Sequence, residues 1–132
     1  MTTEPTWITR GLAEVIHQEQ LREHGGRFGL RDENLLESAL ARPRQRWTYE
    51  DGVGLEDLAA SYAFGIAKNH PFIDGNERTA FMTLYSFLGS NGVRIETEEP
   101  EVVAVMLGVA SGELGEPELA AWCRDRGVPV SE

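Results

Sequence analysis

HPFIDGNERTA, residues 70–80, is a polar, glycine-bearing stretch between two apolar ones, and the fold is read outward from it. Before it, Leu58, Ala59, Tyr62, Ala63 and Ile66 recur at helical spacing over about 55–69. After it, residues 76–90 are apolar over most of a helical circumference: Ala80, Phe81, Met82, Leu84, Tyr85, Phe87 and Leu88. Such a helix is expected to be the central buried one, and Asn91-Gly92 ends it. The loop therefore joins two core helices. Free amides and the positive end of the dipole at the second helix make an anion site. Gly75 allows close approach of a ligand to the backbone, and Arg78 in the first turn can fork onto phosphate oxygens. Asp74 offers a hard oxygen suited to Mg²⁺ accompanied by phosphates. His70, at the other lip, has the type of side chain that titrates near neutrality and serves as a general base.

Helical patterns continue on either side. A first helix is expected from about Thr9 to His24, with Leu12, Val15, Ile16 and Leu21 facing inward and Gly25-Gly26 stopping it. A second starts after Asp32, a good N-cap, buries Leu35, Leu36, Ala39 and Leu40, and ends before Pro43. Residues 44–54 read differently: Trp47, Thr48 and Tyr49 favour extended structure and Asp51-Gly52 favours a turn, which predicts a short exposed β-hairpin flap. A fifth helix follows Thr97, over about 98–111, and a sixth has Pro117 near its start and Gly127 past its end. The expected fold is all-α: a compact single-domain bundle of about six helices over residues 1–132, with one flap.

The 41% hydrophobic and 26% charged residues of this 132-residue chain are those of a globular protein. Its net charge of −10 argues against a direct nucleic-acid partner. No apolar run approaches the roughly 20 residues that span a bilayer, so no membrane partner is expected. Residues 1–7 carry neither a basic cluster nor an apolar run, which predicts no signal peptide and a cytoplasmic location. The single cysteine, Cys123, cannot form an internal disulfide and reads as a small packing residue.

The stretch His70 to Arg78 resembles the signature of the Fic/Doc family, His-x-Phe-x-(Asp/Glu)-(Gly/Ala)-Asn-(Gly/Lys)-Arg. Beyond it, Ile16-His17, the segment from Gly25-Gly26 to Arg31-Asp32, the run from Leu35 to Pro43, and Gly112-Glu113-Leu114 are similar to the Doc branch, the death-on-curing toxins. The resemblance implies a transferase using ATP and Mg²⁺. His70 would deprotonate a hydroxyl on a target protein and Asp74 would hold the metal. Gly75, Asn76, Glu77 and Arg78 would line the nucleotide phosphates. The flap near Trp47–Tyr49 would align the target peptide by strand addition. Doc-type proteins transfer the terminal phosphate, with elongation factor Tu as target. They are held inactive by an antitoxin carrying a partly disordered segment.

Two positions depart from the pattern. AMP-transferring members carry a second arginine where this chain has Phe81, which favours phosphoryl over AMP transfer. Glu77 stands where those members have glycine and the Doc branch has lysine, and it brings a negative charge to the phosphate site. AMP transfer, and a catalytically impaired binding module spoiled by Glu77, are the alternatives. Simpler roles compete residue by residue. Asp74 and Glu77 also form a capping-box pattern, and Arg78 could pair with surface acids. Asn76 could be a cap, His17 and His24 could be rim residues, and Glu96, Glu98, Glu99 and Glu101 could be a solvated helix start.

Overall fold

The computed structural model describes residues 3–130. The order is α1 (Arg10–His24), α2 (Glu33–Tyr49), α3 (Leu55–Asn69), α4 (Asn76–Ser90), β1 (Val93–Ile95), α5 (Glu99–Ser111), α6 (Glu116–Arg126) and β2 (Gly127–Pro129). The all-α expectation holds. Helix α3 packs on α2, α4, α5 and α6, while α4 packs on α1, α3, α5 and β1, so the two share the centre. Small side chains make this possible: Ala59, Ala60, Ser61, Ala63, Gly65 and Ala67 of α3 are all buried, letting neighbours approach on several sides. A Cβ on Gly65 would lie 3.1 Å from Ala39 Cβ and 3.2 Å from Ala39 Cα, which marks the closest approach of α2 and α3. Tyr62, fully buried, accepts the Ile8 N–H at 3.0 Å through its hydroxyl and ties the N-terminal segment to the core.

Three sequence expectations are corrected. Helix α2 does not stop before Pro43 but carries it inside, buried, and runs on to Tyr49. No strand forms over residues 44–54, which hold the last turns of α2 and the Asp51-Gly52 turn. A proline inside a helix costs about 3 kcal/mol locally, and tertiary contacts beyond it offset that. Trp47 meets Trp7 edge-on. Arg46 bonds Ser61 Oγ and Glu116 Oε2, each at 2.8 Å, and the Asp57 carbonyl at 3.1 Å. The strand pair lies elsewhere: β1 and β2 are antiparallel, with Val93 opposite Pro129 and Ile95 opposite Gly127.

The third correction concerns α1. Its inner face is Ala13, Ile16, His17, Gln20 and Leu21, whereas Leu12 and Val15 are 39% and 52% exposed. Among the described residues no helix is long and apolar enough to cross a membrane. Cys123 is buried in α6, and burial pushes its thiol up to about 12, which suits a packing residue.

Candidate active site

The loop between α3 and α4 is held open by its own residues and by the segment between α1 and α2. His70 is the C-cap of α3 and lies in left-handed backbone, φ 50° and ψ 56°, the one non-glycine residue with positive φ among those described. That conformation costs an L-residue roughly 1–2 kcal/mol, and it turns the chain sharply so that the imidazole is exposed at the lip. Pro71 and Phe72 follow, both buried. Asn76, 3% exposed, accepts the Phe72 N–H at 3.0 Å and donates to the Phe72 carbonyl at 2.9 Å, closing the loop from within. Its amide nitrogen is also 3.5 Å from His70 Nδ1. A contact of that length does not fix the tautomer, and the form protonated on Nδ1 leaves Nε2 free to accept a proton.

Gly75 is the N-cap of α4 in left-handed backbone, φ 78°, and no side chain caps the helix. The capping-box reading of Asp74 and Glu77 is thereby corrected. Asp74 Oδ2 instead accepts the Arg27 N–H at 2.8 Å, and the Asp74 carbonyl accepts a hydrogen bond from His17. The first amides of α4 are left for a ligand, as a helix N-terminus without a cap leaves them. Arg78 is exposed and loosely tethered, its Nη2 donating to the Gly25 carbonyl at 3.3 Å. A Cβ on Gly75 would lie 3.3 Å from Leu21 Cδ2, and the left-handed backbone would strain any other residue there. Glu77 lies half-buried beside Arg78 on the wall of a groove of about 950 Å³.

Asp74 is half-buried and keeps one oxygen clear of the Arg27 amide. One carboxylate next to a phosphate site is what Mg²⁺ bound largely through nucleotide oxygens requires, so the residues present fit that ion.

The structure gathers His70, Asp74, Gly75, Asn76, Glu77 and Arg78 into one loop and helix start. The Asn76 side chain is committed to the loop itself, so what this residue leaves free is its backbone N–H, one of the first amides of α4. Residues 44–54 are not the segment beside this loop. That place belongs to the stretch between α1 and α2, where Leu30 bridges antiparallel to Phe72, Ile73 N–H donates to the Gly29 carbonyl at 3.0 Å and Arg31 N–H to the Pro71 carbonyl at 2.7 Å.

His17, expected at a rim, is 3% exposed. Its ring stacks on Phe72 at 3.8 Å and 9°, and Nε2 lies 2.8 Å from the Asp74 carbonyl oxygen. Burial lowers its pKa below the ordinary histidine value, opposed by that bond, so the neutral ring donates through Nε2. The signal was available: His17 falls four residues after Ala13 and four before Leu21, on the inner face of α1.

The chain matches the model of the Fic/DOC family over residues 7–88. It is 31% identical over 110 residues to the Protein kinase doc of Escherichia phage P1, spanning 83% of this chain and 86% of that protein. It is 39% identical over 75 residues to the Toxin Doc of Mycolicibacterium smegmatis, spanning 56% of this chain and 58% of that one.

Proposed function

The chain belongs to the Fic/DOC family, and from that premise we propose that it is a Doc-like toxin. In this reading it uses Mg-ATP to transfer a phosphoryl group to a Ser/Thr hydroxyl of a translation factor such as elongation factor Tu. The observation that carries this is the loop geometry: an exposed histidine caps the end of α3, and the same short loop leads to an uncapped helix start carrying a loosely held arginine. His70 accepts the proton of the attacking hydroxyl, whose oxygen bonds to the γ-phosphorus as the bridge to the β-phosphate breaks and ADP leaves. Arg78 and the amides of Asn76, Glu77 and Arg78 stabilise charge on the transferred group and the leaving phosphate. Asp74 would hold the magnesium ion, which supplies charge neutralisation to the phosphates. Positioning and electrostatics carry such a reaction.

Phosphoryl transfer is favoured over AMP transfer by Phe81. At 8% exposure, packed against Tyr85 and Trp122, it offers no cation to the α-phosphate. The kinase name of the phage relative points the same way. The test incubates the protein with cell extract and ATP labelled on either the α or the γ phosphate. Label from γ on a translation protein is expected, and transfer of α label alone would overturn the reading. A non-catalytic binding module is the second reading, motivated by Glu77 beside Arg78 on the groove wall. Calorimetry with near-millimolar Mg-ATP separates the two, since the module would show no heat.

Relatives that are toxins imply an antitoxin. The groove supports one that orders a flexible segment on the toxin: Phe81, Met82, Tyr85 and Val102 give it apolar lining, and its five glutamates outnumber its two arginines, Arg78 and Arg94. A basic, amphipathic segment suits it. A pull-down with the product of the adjacent small reading frame checks this; no association at micromolar concentration counts against it. The proposed compartment is the cytoplasm, where a translation factor would be met.

A further inference from the structure

We infer that Arg31 is a positioning residue for the proposed base, holding His70 in the left-handed conformation that presents its imidazole; the inference rests on the reading of His70 as that base. The guanidinium donates from Nε to the His70 carbonyl at 2.7 Å and from Nη2 to the Asn69 carbonyl at 2.7 Å. These are two carbonyls at the end of α3, which have no partner within the helix. A planar fork fits two adjacent carbonyls at once, as a lysine ammonium does not. The fork is aimed from a fixed point. Arg31 and Asp32 N–H both donate to the Pro71 carbonyl, at 2.7 and 3.0 Å, and Asp32 in turn caps α2 by accepting the Leu35 N–H at 3.0 Å. The start of α2 is thus linked through Arg31 to the end of α3, and the link grips the peptide units on either side of the His70 Cα. Water could solvate those carbonyls if the side chain were absent, but it could not hold their orientation. Arg31 is exposed, so removing its side chain opens no cavity.

The experiment measures label transfer from γ-labelled ATP to extract protein, varying ATP and extract separately, for the full chain and its variants. Arg31→Ala is expected to lower apparent kcat about ten- to a hundredfold, the loss that ångström-scale misplacement of a reacting group produces. Apparent KM for ATP and for extract should stay within about twofold. Arg31→Lys should recover part of the loss, and millimolar guanidinium ion should raise the activity of Arg31→Ala without raising that of the parent. By NMR, the backbone coupling of His70 should leave the left-handed value in Arg31→Ala while the rest of the fold stays intact. Unchanged kcat in Arg31→Ala alongside an inactive His70→Ala overturns the positioning role and leaves the base standing. A raised KM for extract at constant kcat also overturns it, by assigning Arg31 to target contact. Full activity in His70→Ala overturns the base reading itself, and this inference with it.

Discussion

Glu77 and His70 stand on opposite lips of the loop, and each makes a prediction at the scale of a single side chain. Glu77 occupies the first turn of α4, where its charge complements the dipole by about 0.3–1 kcal/mol. The same position adjoins the proposed phosphate site, where a like charge at about 5 Å costs up to roughly 3 kcal/mol before screening at an effective dielectric near 20. The second effect dominates for binding. Glu77→Lys is therefore expected to tighten ATP binding severalfold, up to about a hundredfold, by calorimetry. Its stability should drop only by the dipole contribution, since no capping bond is lost. Binding no tighter than the parent's would show that the carboxylate points away from the nucleotide. His70→Ala should lower the rate roughly 10²–10⁴-fold, as loss of a general base does. It should relieve growth arrest when the chain is expressed without its neighbour; an equally toxic, folded variant would refute that role.

Two contacts between elements give predictions of stability. Gly→Ala in a helix usually gains about 1 kcal/mol, but at Gly65 the Ala39 backbone stands 3.2 Å from the new Cβ. Gly65→Ala should lose that gain, and Gly65→Val should destabilise by about 1–3 kcal/mol through overpacking, measured by urea unfolding. At the far side, Glu101 near the start of α5 is bonded by Arg126 at the end of α6 and by the Thr97 hydroxyl. The Arg126 guanidinium is the first cause that lowers its carboxyl from the ordinary 4.5 to about 2. A carboxyl with a depressed folded-state pKa stabilises fully above its unfolded value and loses that contribution as pH falls towards its folded one. Melting temperature should therefore fall between about pH 4.5 and 2 more steeply in the parent than in Glu101→Gln. Identical acid limbs would show the pair to be idle.

Across the whole molecule, Glu116 gathers three helices. It stands at the start of α6, 9% exposed, and meets Arg42 at 2.6 Å and Arg46 at 2.8 Å from α2, and the Ser61 hydroxyl at 2.5 Å from α3. Removing one partner of a buried pair costs about 3–5 kcal/mol; here both arginines are partly wet, which lowers the expected loss for Glu116→Ala to about 2 kcal/mol. Because the network pins the last turns of α2, the variant should also fray that helix beyond Pro43, seen as faster amide exchange over residues 44–49. Unchanged exchange there would mean that Trp47 packing alone carries the helix past the proline.

The sequence by itself determined the number of helices, most of their ends and the stretch that forms the candidate site. Helical periodicity, N-caps such as Asp32 and glycine stops are local signals, and the motif from His70 to Arg78 is contiguous, so all were legible without a partner element. Only the tertiary structure decided where α2 ends, because Pro43 is a local veto overridden by contacts with Trp7, Ser61 and Glu116, all distant in sequence. It also decided that residues 27–32, not 44–54, lie beside the loop, since one bridge between Leu30 and Phe72 leaves no strand periodicity to read. The same holds for Asp74, whose partners are an amide and a histidine rather than a capping glutamate, and for the Arg31 fork on the end of α3. The contacts around the loop are hydrogen bonds between residues roughly forty to sixty apart in the chain, and those that carry α2 past Pro43 run from fifteen to seventy residues away; pairings at such separations follow from the packing of whole helices rather than from local propensity.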